Sequence, residues 1–75
     1  MNYEKIKEIL EDVLEVKYYD GISRENCENW DSLNHINLII ELQDNFGFKV
    51  PSEKIPELDS YKKICEELLI IDTNN

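Results

Sequence analysis

Basic residues are scarce in this chain of 75 residues: 8 Lys plus Arg stand against 17 Asp plus Glu, a net charge of −9. Neutralising phosphates takes a basic face, so the balance argues against a nucleic-acid module and for basic protein partners. Alanine is missing altogether, which leaves burial to Ile, Leu and the aromatic side chains. At this length the chain makes one domain, 1–75. It buries only about 60% of its unfolded surface, which predicts one small core of marginal stability. No stretch approaches the roughly 20 apolar residues of a membrane span, and the leading MNYEKIKEIL lacks the apolar run of a signal peptide. A cytoplasmic protein with reduced thiols is therefore expected. The two cysteines, Cys27 and Cys65, have neither CxxC spacing nor a neighbouring histidine. That is too few ligands for a structural zinc site, and core or near-core packing is favoured over a single disulfide.

Histidine is scarcer still. His35 has no Ser-x-Gly elbow, Glu-x-x-His or Asp cluster around it, so hydrolytic triads and metal sites lack their parts and no enzyme is expected. Its plain reading is a partly buried imidazole bonded to a neighbouring loop. Paired carboxylates discriminate nothing among 17 acidic groups.

What is present is helical periodicity. Tyr3, Ile6, Ile9, Leu10, Val13 and Leu14 recur at three- and four-residue spacing from Asn2 to about Lys17, an amphipathic helix with Asn2 as cap and Glu4 in its first turn. From Tyr18 to Trp30 the period stops. This stretch reads as a long loop, yet Ile22 and Trp30 are too apolar to leave in water, so the loop is anchored and delivers the chain to something. A second helix begins at Asp31 or Ser32 and runs to about Phe46, with Gly47 suited to its left-handed end. At about 100° per residue, Leu33, Ile36, Leu38, Ile39, Ile40, Leu42 and Phe46 cover a very wide arc. Asn34, Asn37, Glu41, Asp44 and Asn45 take the remaining sector. Such a helix is expected at the centre of a bundle, packed on more than one side. Pro51 and Pro56 bracket a connector with room for a short helical turn capped by Ser52. A last helix after Asp59 or Ser60 carries Tyr61, Ile64, Cys65, Leu68 and Ile71. The fold class is all-α, a small four-helix bundle of three long helices and one short, with a long loop between helices one and two.

The informative string is Trp30-Asp31-Ser32-Leu33, at the junction of the long loop and the second helix. A serine there exposes its hydroxyl to an incoming enzyme, while unpaired backbone N–H groups and the helix dipole favour an anion on it. Leu33, behind it, is expected to anchor the turn into the core. Without the surrounding pattern, Ser32 would be no more than a helix cap.

Asp-Ser-Leu opening a second helix that ends in Phe-Gly-Phe-x-Val-Pro, followed by a final short helix, resembles the acyl carrier protein family over nearly the whole chain. The resemblance implies a carrier that catalyses nothing itself. It implies 4′-phosphopantetheine on Ser32, attached from coenzyme A by a phosphopantetheinyl transferase with magnesium. Asp31 would assist the metal in that transient complex, with Leu33 beside the attachment point. The arm's thiol would hold an acyl or aminoacyl group as a thioester for partner ligases, synthases or transferases, and a monomer is implied because partners must reach Ser32 in turn. The apolar interior between helices could also shelter a chain, although core packing explains the same residues.

Familiar fatty-acid carriers read Leu-Gly-Ala-Asp-Ser-Leu-Asp where this chain reads Glu28-Asn29-Trp30-Asp31-Ser32-Leu33-Asn34. Positions of the second helix that are often acidic and meet basic partners correspond here to Asn34 and Asn37, with Glu41 and Asp44 remaining. The strip is less negative, which shifts selectivity from charge steering to shape and hydrogen bonding. The resemblance thus points to a specialised carrier for one dedicated pathway, while the bulk of Trp30 beside the second helix reads as a lid on the core more than as a contact for partner or arm. The competing reading is a small helical interaction module that never carries a cofactor and binds protein through Asn34, Asn37, Glu41 and Asp44. An acidic nucleic-acid mimic is a poorer fit, because lysines interrupt the acidic residues of helix one.

Overall fold

The computed structural model describes residues 2–73. Three α-helices and one 3₁₀ segment follow in the order α1 (Tyr3–Leu14), α2 (Ser32–Phe46), the 3₁₀ segment Ser52–Glu57 and α3 (Tyr61–Thr73). The described residues form no strand, and a single antiparallel bridge joins Ser23 to Ser60. The all-α bundle of three long helices and one short, expected from the sequence, is the architecture observed.

α1 starts where Asn2 accepts the Lys5 N–H at 3.1 Å and buries Ile6, Ile9, Leu10 and Leu14. Two details differ from expectation. Tyr3 stands largely in solvent, and the helix stops at Leu14, short of Lys17. Glu15 turns the backbone left-handed at φ 55°, and the orphaned Leu14 carbonyl takes the Asn29 side-chain amide at 2.9 Å. The loop thus reaches back and finishes the helix before it.

α1 is also the central helix, the place expected for α2. It packs along α2 and touches α3, and Ile6, Ile9, Leu10 and Leu14 of its stripe are all buried. α2 buries His35, Leu38, Ile39 and Leu42 but leaves Leu33, Ile36 and Ile40 of its outer side exposed. Ile22, Cys27 and Trp30 from the loop, Val50 and Leu58 from the connector and Ile64 and Leu68 from α3 complete the core.

The loop expected to be anchored is anchored along its length. Ile22 is fully buried, and its carbonyl accepts the Tyr61 N–H at 3.2 Å, while the Arg24 N–H donates to the Asp59 carbonyl at 2.7 Å. The Asn26 side chain accepts the Ser23 N–H at 3.0 Å and the Tyr19 hydroxyl at 2.8 Å, and donates to the Gly21 carbonyl at 2.9 Å. At its start the Tyr18 ring meets Tyr61 edge-on, 4.9 Å between centroids, and Lys7 Nζ sits 4.8 Å from the centre of Tyr18. Burial pushes the Tyr61 phenol well above its usual value, with the neighbouring Cys65 thiol adding to it. Burial likewise raises Cys65, against the opposing effects of Tyr61 and Lys7.

Gly47 ends α2 at φ 68° with its N–H on the Gln43 carbonyl at 2.9 Å, as its position predicts. Gln43 Oε1 then accepts the Val50 N–H at 2.8 Å, tying the connector back to the helix. Ser52, expected as a cap, makes no capping bond. It lies inside the 3₁₀ segment, and Pro51 occupies the cap position. Ser60 does cap, accepting the Lys63 N–H at 3.1 Å, and α3 turns Ile64 and Leu68 inward. Both thiols are free, Cys27 buried and Cys65 half-buried, in keeping with packing roles.

Candidate functional site

The site is assembled where the loop runs into α2. Asp31 is extended at φ −94°, ψ −175° and caps the helix, its Oδ1 accepting the Asn34 N–H at 2.9 Å. Its carbonyl takes the His35 N–H at 2.8 Å. Ser32 is therefore the first helical residue, relieved of the capping task, with its side chain in solvent. Among the described residues, the N–H groups of Ser32 and Leu33 have no partner. They are the donors that a helix start leaves over for water or a ligand.

The hydroxyl is not left to solvent alone. Arg24 Nη2 donates to Ser32 Oγ at 2.7 Å, a contact that spacing along the chain does not suggest and that the sequence reading missed. The one available signal was Arg24's standing as the single arginine of an acidic chain, in the loop that leads to the serine. Its backbone is held to the segment just before α3 through the Asp59 carbonyl, so the guanidinium projects from a fixed base. No carboxylate pairs with it among the described residues, whose ion pairs all use lysines.

Leu33 does not anchor the turn: it is 71% exposed. The anchoring falls to residues on either side of it. Trp30, 2% exposed, donates its indole N–H to His35 Nδ1 at 3.0 Å. An indole can only donate, so Nε2 carries the imidazole proton and meets the Ile55 carbonyl at 2.7 Å. His35, 3% exposed, thus joins the loop, α2 and the 3₁₀ segment. This is the bonded, buried histidine that the sequence suggested, and Trp30 is the lid on the core.

The outer side of α2 mixes two kinds of residue. Ile36 and Ile40 are 47% and 46% exposed and lie with Leu33 on the same side as Asn37, Glu41 and Asp44, all in solvent. The wide apolar arc is therefore half core and half surface, which corrects the expectation of a helix packed on several sides. A 3.6-residue period identifies faces, and α2 had two to choose between. Asn34 is half-buried and committed within the molecule, donating to the Asn29 carbonyl at 2.8 Å. Beside this side, an open groove of about 480 Å³ runs between α1 and α2, lined among others by Ile9, Val13 and Ile40 and by Lys5, Glu8 and Asp12.

No cluster of three metal-ligating side chains occurs among the described residues, and no helix there is long and apolar enough to cross a membrane. What the arrangement can do chemically is present one exposed hydroxyl, held by a cation, at the start of a helix whose outer side carries both apolar and polar residues. No family model matches the chain.

Proposed function

We propose that this chain is an acyl carrier domain, modified at Ser32 by 4′-phosphopantetheine and presenting an acyl or aminoacyl group to partner enzymes of a dedicated pathway. The observation that carries the reading is the solvent-facing Ser32 hydroxyl at the first position of α2 with a guanidinium on it. A helix-start serine that served only as a cap would have its oxygen turned onto a backbone N–H, and here Asp31 performs that task.

The residues fit an attached phosphodiester. Arg24 supplies the opposite charge, and the free N–H groups at the start of α2 supply donors. Asp31 spends one carboxylate oxygen on the cap, and its other oxygen would be available to a magnesium ion held by the transferase. In the loading step, Ser32 Oγ bonds to the pantetheine-side phosphorus of coenzyme A as the pyrophosphate linkage breaks. The hydroxyl proton passes to the transferase and adenosine 3′,5′-bisphosphate leaves. When bound, the arm supplies a terminal thiol that holds its cargo as a thioester. The chain itself catalyses nothing. Coenzyme A as donor implies a cytoplasmic setting, and successive access to Ser32 implies a monomer.

The outer side of α2 is the docking face of this reading. Leu33, Ile36 and Ile40 give a partner apolar purchase next to the arm, while Asn37, Glu41 and Asp44 set orientation. Asn34, occupied with Asn29, acts through the shape of the turn.

Intact mass before and after incubation with coenzyme A, magnesium and a broad-specificity phosphopantetheinyl transferase tests the reading. A single arm mapped to Ser32 supports it. Well-folded protein without an adduct makes the cofactor-free interaction module the better account of the same apolar face. Ser32→Ala should abolish modification and change stability by no more than about 0.5 kcal/mol, as for a surface substitution away from a cap. Retained modification in that variant would overturn the site assignment.

A further inference from the structure

We propose that Arg24 is the positioning residue for a phosphodiester on Ser32, shifting its guanidinium from the free hydroxyl to the non-bridging oxygens once the arm is attached. This rests on the carrier reading and adds to it the residue of this chain that directs the arm.

Three observations lead there. The chain carries a net charge of −9 with a single arginine, yet among the described residues that arginine pairs with no carboxylate and donates to a neutral hydroxyl at 2.7 Å. A guanidinium offers five donors in a planar fork, and this bond uses one terminal nitrogen. A phosphodiester is a far better acceptor than an alcohol, and arginine meets phosphate oxygens through two parallel bonds. Finally, the base of Arg24 is rigid. Its N–H is bonded to Asp59, and Ile22 and Ser23 are bonded or bridged to Tyr61 and Ser60, so only the side chain has to move.

The geometry has a directional consequence. With Arg24 on the loop side of Ser32, a clamped phosphodiester is drawn toward the loop, and the rest of the arm leaves from a defined point. An unclamped one would swing about the Cβ–Oγ and Oγ–P bonds.

The test uses the full chain before and after arm attachment. A protein with one arginine has one Arg Nε–Hε cross peak, assigned without ambiguity. Loading the wild type should shift that peak and slow its exchange with water, and the ³¹P resonance of the loaded chain should differ between wild type and Arg24→Gln, with Arg24→Lys in between. An arm present on the wild type together with an unmoved Arg24 peak would overturn the inference while leaving the carrier reading standing. No arm on the wild type would remove the carrier reading and this inference with it. Should Arg24→Gln fail to fold, the wild-type cross peak decides alone.

Discussion

The long loop and α2 exchange the roles usually given to loop and helix. The loop, without a helical turn, buries Ile22, Cys27 and Trp30 and satisfies itself through Asn26, Asn29 and the Ser23–Ser60 bridge. α2, regular from end to end, leaves three branched apolar side chains in water. The difference teaches that the irregular segment is the scaffold and the regular one is the display surface. The Ser32 hydroxyl thus has a fixed base beneath it and an uncovered flank beside it, and these two regions supply one each.

The comparison breaks most severely at Trp30. Trp30→Ala removes a buried indole and leaves His35 Nδ1 without its donor, and about 3–5 kcal/mol of stability should go with it. For a domain whose total is about 5–15 kcal/mol, urea unfolding should show a folded state near collapse. A loss under about 1 kcal/mol would mean the loop is no part of the core.

Asn26→Ala tests whether the loop holds itself together. Its exposed amide ties Gly21, Ser23 and Tyr19, and removal should cost about 0.5–1.5 kcal/mol, with faster amide exchange confined to residues 19–26. Uniform acceleration across α2 would deny the loop its independence.

Alkali should act on the same side more gradually. The folded Tyr61 phenol titrates above its ordinary value of 10.0, so from about that pH upward the unfolded chain binds fewer protons than the folded one. The contribution of Tyr61 is full below that point and is lost as pH rises toward the folded value, adding to an earlier loss from the raised Cys65 thiol. Urea midpoints that decline above pH 10, in step with loss of the Tyr18–Tyr61 contact, would bear this out; a flat profile would not.

The smallest effect belongs to the display surface. Leu33→Ser combined with Ile36→Ser should alter stability by no more than about 0.5 kcal/mol, while weakening association with the transferase in a binding assay. A large loss of stability in the isolated chain would mean that this face is covered in solution.

These contrasts also explain what could be read from the sequence. α1 and α3 were legible because each has one apolar stripe and a side-chain cap, Asn2 and Ser60, that a linear pattern records. The loop anchors were legible from bulk alone. α2 misled because its apolar arc exceeds what one neighbour can cover, and periodicity does not say which part meets the core. Asp31 and Ser32 are both good caps, so the division of labour between them waited on backbone angles. The site serine stood out through its neighbours in sequence. Arg24 did not, since its reach depends on how the loop folds back against the start of α3.

The Trp30–His35–Ile55 chain has an optical consequence. The protein's one tryptophan lies two residues from Ser32, with its indole N–H held by an imidazole that also grips the connector. Its fluorescence is a built-in gauge of the whole junction. Any change that leaves the loop seated will keep the blue emission of a dry indole, whereas any that pries loop from helix will announce itself as a red shift, with no label added.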